Sequence, residues 1–89
     1  MKVPAAEELQ LFTEFKGMIE AEAGKQFGTF EAVKYTSQVV AGINFQIKYN
    51  VGDSHIHAKV FKPLPHTGNP AELKAVMLDQ TADSPFNFQ

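Results

Sequence analysis

Ile43-Asn44-Phe45-Gln46-Ile47-Lys48-Tyr49-Asn50-Val51 alternates apolar and polar residues without interruption. Successive side chains of a strand point to opposite faces, so this period-two pattern predicts a β-strand with one buried and one wet face. The chain around it is punctuated in the same way. Upstream, Phe30 to Ser37 reads as a strand, and the irregular Glu31-Ala32-Val33 predicts a bulge within it. Downstream, Val51-Gly52-Asp53-Ser54 is a turn, after which Ile56, Ala58 and Val60 alternate with His57, Lys59 and Phe61. Pro63-Leu64-Pro65-His66-Thr67-Gly68-Asn69-Pro70 holds three prolines and a glycine and is a loop. Leu73 to Leu78 is a last strand, and Phe86 and Phe88 are expected to pin the tail to the sheet.

Before the strands the period is helical. Ala5, Leu9, Phe12, Phe15, Ile19 and Ala23 form one stripe, which predicts a single helix from about Ala5 to Ala23. Pro4 suits the first turn, Glu7 and Glu8 suit the positive end of the helix dipole, and Gly24 suits the stop. Sequential hairpins make an antiparallel meander, whose apolar face needs a cover. The helix stripe is the candidate. The expected fold class is α+β, with one N-terminal helix packed across a four- to five-stranded antiparallel sheet, as a single domain over residues 1–89.

Composition narrows the function. A chain of 89 residues buries about 60% of its unfolded surface and leaves little room for a large concave site. The net charge is −2, with both signs interspersed and no basic stripe, so no nucleic-acid partner and no membrane surface are expected. With no cysteine there is no disulfide framework, and Met1–Glu8 has no apolar run of a signal peptide; a cytoplasmic location is expected. His55 and His57 have a spacing that can hold a metal, but no third ligand accompanies them, and two solvent-facing imidazoles are expected instead. The helix carboxylates Glu7, Glu8, Glu14, Glu20 and Glu22 read as a solvated face. No nucleophile triad, phosphate loop or nucleotide fingerprint is present, so no cofactor and no enzyme activity are expected.

One segment resists that bland reading. Gln38-Val39-Val40-Ala41-Gly42 occupies a hairpin tip, where polar Asn, Asp and Gly are usual. An apolar tip is either buried in the fold or shaped to enter a partner's cleft. In a meander alternate turns share one end of the sheet, so the Leu64-Pro65-His66 loop should emerge beside it. The helix start should lie near the same end, bringing Val3 and Pro4 to that edge. A contiguous apolar row of this kind indicates an interface.

Gln38-Val39-Val40-Ala41-Gly42 resembles the Gln-x-Val-x-Gly signature of the cystatins. Glu31 to Ser37, Ile43 to Lys48, Val51-Gly52-Asp53, Lys59-Val60-Phe61 and Leu64-Pro65-His66 are similar to the stefin branch of that family. The resemblance implies a reversible, competitive inhibitor of papain-like cysteine proteases of the cathepsin type. It implies a wedge that fills the catalytic cleft without presenting a peptide bond for cleavage. Carried onto this sequence, the protease-binding residues are Val3, Pro4, Gln38, Val39, Val40, Ala41, Gly42, Leu64, Pro65 and His66. Stefins carry a glycine several residues before the helix, and Met1-Lys2-Val3-Pro4 has none. Weaker inhibition, through faster release, is therefore expected. Gly42→Arg is expected to block insertion with little loss of thermal stability. The resemblance also implies a monomer able to exchange its helix and first strand with a second copy, giving a domain-swapped dimer hinged at the hairpin. The alternative reading is a cystatin-fold binding module that does not inhibit, or an engineered scaffold.

Overall fold

The structure, a computed structural model, describes residues 2–64 and 68–86. Its elements run α1 (Ala6–Thr13), α2 (Lys16–Ala23), β1 (Glu31–Val40), β2 (Gly42–Asn50), β3 (His55–Pro63) and β4 (Glu72–Gln80). The four strands form one antiparallel sheet in the order β1-β2-β3-β4, the expected α+β meander. Ile43, Phe45, Ile47, Tyr49 and Val51 all join the core or pack against it, as the alternation predicts. They meet Phe12, Phe15 and Ile19 from the helical segments. The Phe12 ring packs edge-on against Tyr35 and Phe45, with both centroids 5.2 Å away. Phe30 stacks on Tyr49 at 4.4 Å. Aromatic pairs in these geometries add to the plain burial of apolar area.

The helix is not continuous. It breaks at Glu14 and Phe15, between α1 and α2. The Tyr49 hydroxyl, fully buried beneath the break, donates to the Phe12 carbonyl at 2.8 Å. That oxygen also accepts from the Phe15 amide at 3.4 Å, a three-residue spacing in place of the helical four. The Thr13 hydroxyl donates back to the Leu9 carbonyl at 2.7 Å, which bends helices further. A side chain inserted into the backbone ladder is a known cause of such kinks. The stop is where the sequence places it: Gly24 caps α2 with φ +74°.

Three register shifts curve the sheet. One lies at Ala32–Lys34 in β1, the predicted bulge. Two more fall on β4, where it pairs with β3 at His55–His57 and at Lys59–Val60. Bulges add right-handed twist and bend a strand, which lets a flat meander wrap a short helical pair.

The outer face of the sheet departs from expectation. Lys48 and His57, both on the face predicted to be wet, are 2% and 0% exposed. They oppose each other across β2 and β3. The cover is the C-terminal tail. The Lys48 ammonium donates to the Ala82 carbonyl at 2.6 Å and the Ser84 carbonyl at 3.0 Å. The Phe86 ring lies 4.5 Å from the His57 ring. Phe86 thus pins the tail as predicted, while Phe88 falls outside the described residues. His57 is not a solvent-facing imidazole, because alternation assigns a face and cannot foresee a later segment folding over it.

Candidate functional site

The register of the sheet gathers the hairpin and the second loop. Val40 opposes Gly42 across the first hairpin, and Gly42 opposes Pro63 on β3. These three residues form one cross-strand row at the end of the sheet. Ala41 leaves the row on one side and Leu64 on the other, so both segments emerge from the same edge. Only Ala41 separates β1 from β2, whose pairing continues to Val40 and Gly42. The tip is therefore tighter than a five-residue turn, and Gln38 and Val39 are ladder residues opposite Asn44 and Ile43.

The apolar side chains at this edge meet solvent. Val39 is 81% exposed, Val40 46% and Leu64 39%. Adjacent strand residues point to opposite faces, so Val39 projects on the helix side and Val40 on the outer side. The edge thus carries an apolar side chain on each flank. Beside it, the outer-face residues Thr36, Gln38, Asn44, Gln46 and Lys59, together with Ser37 between them in β1, line a shallow polar hollow of about 130 Å³. Sequence reasoning did not single out this hollow, although its residues alternate with the core positions of β1 and β2. Pro65 and His66, expected at the same edge, fall outside the described residues.

Gly42 is held against the neighbouring strand. Its φ is +133°, and a Cβ built there would lie 2.5 Å from the Lys62 carbonyl oxygen and 2.9 Å from Cζ of Phe61. The Phe61 ring lies over the space that any larger residue would occupy. Glycine is required here by the fold itself, since the backbone conformation and the contact distance both exclude a side chain. The expectation that Gly42→Arg spares stability is therefore overturned.

The N-terminal segment is placed differently from expectation. Lys2 forms an antiparallel bridge with Tyr35, its amide donating to the Tyr35 carbonyl at 2.7 Å and its carbonyl accepting from the Tyr35 amide at 2.9 Å. Tyr35 precedes Val40 by five residues, about 17 Å along a strand. Val3 is 77% exposed but continues away from the tip, and Pro4 is buried. Neither stands in the row of Val40, Gly42 and Pro63.

A polar cluster anchors this segment. The Tyr35 hydroxyl donates to Glu8 Oε2, and Glu8 Oε1 accepts from the Ala5 amide at 2.9 Å. The hydrogen bond from Tyr35, then that from Ala5, hold the Glu8 carboxyl below its ordinary value. The same contact pushes the Tyr35 phenol up. The pair ties the start of α1 to β1.

Among the described residues no group of three or more His, Cys, Asp or Glu could hold a metal ion. Among them, too, no helix is long and apolar enough to cross a membrane.

Comparison with known proteins gives a family match. Residues 19–82 match the cystatin domain. The chain is 48% identical over 82 residues to Cystatin-A1 of Sus scrofa, covering 90% of this chain and 80% of that protein. It is 40% identical over 82 residues to Leukocyte cysteine proteinase inhibitor 1 of Sus scrofa, with the same coverage of 90% and 80%. It is 40% identical over 88 residues to Cystatin-B of Paralichthys olivaceus, covering 97% of this chain and 90% of that protein.

Proposed function

The chain belongs to the cystatin family, in its stefin branch, and from that membership we propose that it is a reversible, competitive inhibitor of papain-like cysteine proteases. It is not an enzyme. The observation that carries the reading is the row Val40, Gly42 and Pro63, from which Ala41 and Leu64 emerge together at one apolar edge. A relative whose name is that of a cysteine proteinase inhibitor supports the same reading. Relatives of this kind do not favour the alternative of a non-inhibitory module.

The edge works as a wedge. Val39 and Val40 bury apolar area at about 25 cal/mol per Å² on entering a cleft. Valine loses little rotamer entropy on binding, because its β-branch already restricts it. A hairpin paired through Val40 is already ordered, so association does not have to fold it. Gln38, Val39, Val40, Ala41 and Gly42 form one arm of the contact; Leu64, with Pro65 and His66, forms the second. Val3 is a flanking contact only, and Pro4 supports the segment from within. The N-terminal contribution is small, and the two loops carry the affinity.

The inhibitor acts as a monomer in the cytoplasm, a place consistent with a sequence that has no cysteine. A domain-swapped dimer would need the tip to straighten, and it would lose inhibition. Titration against papain or a cathepsin at mildly acidic pH tests the main reading. Stoichiometric loss of protease activity is expected; full activity at micromolar inhibitor would overturn it. Size-exclusion fractions assayed separately test the second point, since equal potency of monomer and dimer contradicts the coupling.

A further inference from the structure

The tail over the outer face covers an unusual group. Both ring nitrogens of His57 are buried without a hydrogen-bond partner. An unpaired polar group in such a place is costly, and an unpaired charge far more so. Among the described residues no hydrogen-bond acceptor meets the ring. From β2 the Lys48 ammonium opposes it, from β4 the facing residue is the uncharged Met77, and on its own strand His55 adds a second imidazole. The tail contributes Phe86 against the ring and Asp83, whose charge acts on Lys48. The tail's own hold on the sheet includes two carbonyls on Lys48 and one aromatic ring on His57.

We propose that residues 81–86 form an acid-released strap, closed while His57 is neutral and opened when its imidazole takes a proton. An imidazolium beneath Phe86 makes no hydrogen bond among the described residues, since the Ala82 and Ser84 carbonyls are taken by Lys48, and it stands beside that ammonium. Opening the strap hydrates both cations at once while β2 and β3 stay paired. The row that holds Lys48 and His57 lies six residues from the Gly42 row, about 20 Å along the strands, so the device is separate from the protease-binding edge.

Burial first, then the charges of Lys48 and His55, hold the His57 imidazole down at about 4, against an ordinary 6.5. For a histidine with a lowered value, the closed form is fully favoured above the ordinary value. That preference is lost as pH falls from 6.5 towards 4. Between these values each pH unit changes the closed-to-open ratio by up to about tenfold, and full protonation of His57 shifts it by a few hundred-fold.

The test uses the intact chain followed by NMR from neutral pH down to the value at which His57 titrates. The nuclear Overhauser contact between the Phe86 and His57 rings, whose centroids are 4.5 Å apart, reports the strap, because it joins the strap to the sheet. The expected result is a His57 ring titrating far below an ordinary histidine. The Phe86–His57 ring contact is lost in step, while the Ile47 and Ala58 amides stay protected from exchange. In His57→Phe the strap should remain closed across the same range. Three results would overturn the proposal: a His57 that titrates near the ordinary value with the strap still closed, loss of the sheet together with the strap, or unchanged acid release in His57→Phe. The first two are read on the unaltered chain and do not depend on the variant folding.

Discussion

Replacing Gly42 with alanine adds one carbon atom at the most confined point of the binding edge. That carbon would sit 2.5 Å from the Lys62 carbonyl oxygen, 2.9 Å from Cζ and 3.0 Å from Cε1 of Phe61, on a backbone with φ of +133°. Two costs add. Holding an L-residue in that conformation costs about 1–3 kcal/mol. Forcing a carbon into a filled space costs about 1–3 kcal/mol more. The sum, about 2–6 kcal/mol, is a large share of the roughly 5–15 kcal/mol available to a domain. The two obstacles differ in kind. A phenyl ring can rotate aside, but the Lys62 carbonyl belongs to the β2–β3 ladder and moves only if the strands part. Urea unfolding of Gly42→Ala, Phe61→Ala and the double variant separates them. The midpoint of Gly42→Ala should fall at unchanged slope. Phe61→Ala should recover only a minor part of the loss. Protease affinity should fall as well, because the row joining the hairpin to the second loop is displaced. A stability loss below about 1 kcal/mol, or complete recovery in the double variant, would refute this account of the close approach.

Other substitutions probe the remaining links. Val39→Asp, at a site 81% exposed, should change stability by no more than about 0.5 kcal/mol. It should weaken inhibition by about 10- to 150-fold, the equivalent of losing a buried valine; a papain titration together with a melting curve checks both. Tyr49→Phe removes the 2.8 Å bond to the Phe12 carbonyl and should cost about 1–1.5 kcal/mol in chemical denaturation. Amide exchange around Phe15 should slow in that variant as the helical ladder closes. Glu8→Gln should lower the Tyr35 ionisation towards its ordinary value, read by ultraviolet or NMR titration, since the Glu8 carboxylate is what raises it. Glu8 itself is held low, so its contribution is present above the ordinary carboxyl value and lost as pH falls through the folded one. Glu8→Gln should therefore flatten the acid limb of the stability curve.

Local alternation made the sheet legible. Ile43 to Val51 has a pattern that no helix satisfies, and Glu31-Ala32-Val33 shows its bulge as a break in period. The family signature then pointed to the edge proposed for binding. What stayed hidden depends on contacts distant in sequence. Nothing near Phe12 signals a helix break, because the hydroxyl that takes its carbonyl comes from Tyr49, 37 residues later. Lys48 and His57 alternate as surface residues do, and only the fold of residues 81–86 buries them. Gly42 carried its motif openly, but its reason, the Lys62 carbonyl against its Cα, belongs to a third segment. Pro4 and Val3 were drawn to the wedge by helix direction alone, whereas the Lys2–Tyr35 bridge sets them lower on β1.

That bridge has a consequence for self-association. The two outer strands of an open sheet expose backbone groups that can template a foreign strand. β4 is disrupted as a template by two register shifts and by Asp79 at φ 57°. β1 is guarded at its middle by Lys2, which pairs with Tyr35. Towards the tip β1 pairs regularly with β2 from Thr36 onward and ends in the exposed Val39 and Val40. The segment proposed to enter a protease cleft is thus also the apolar end of an outer strand, and an occupied cleft would shield it from a foreign strand.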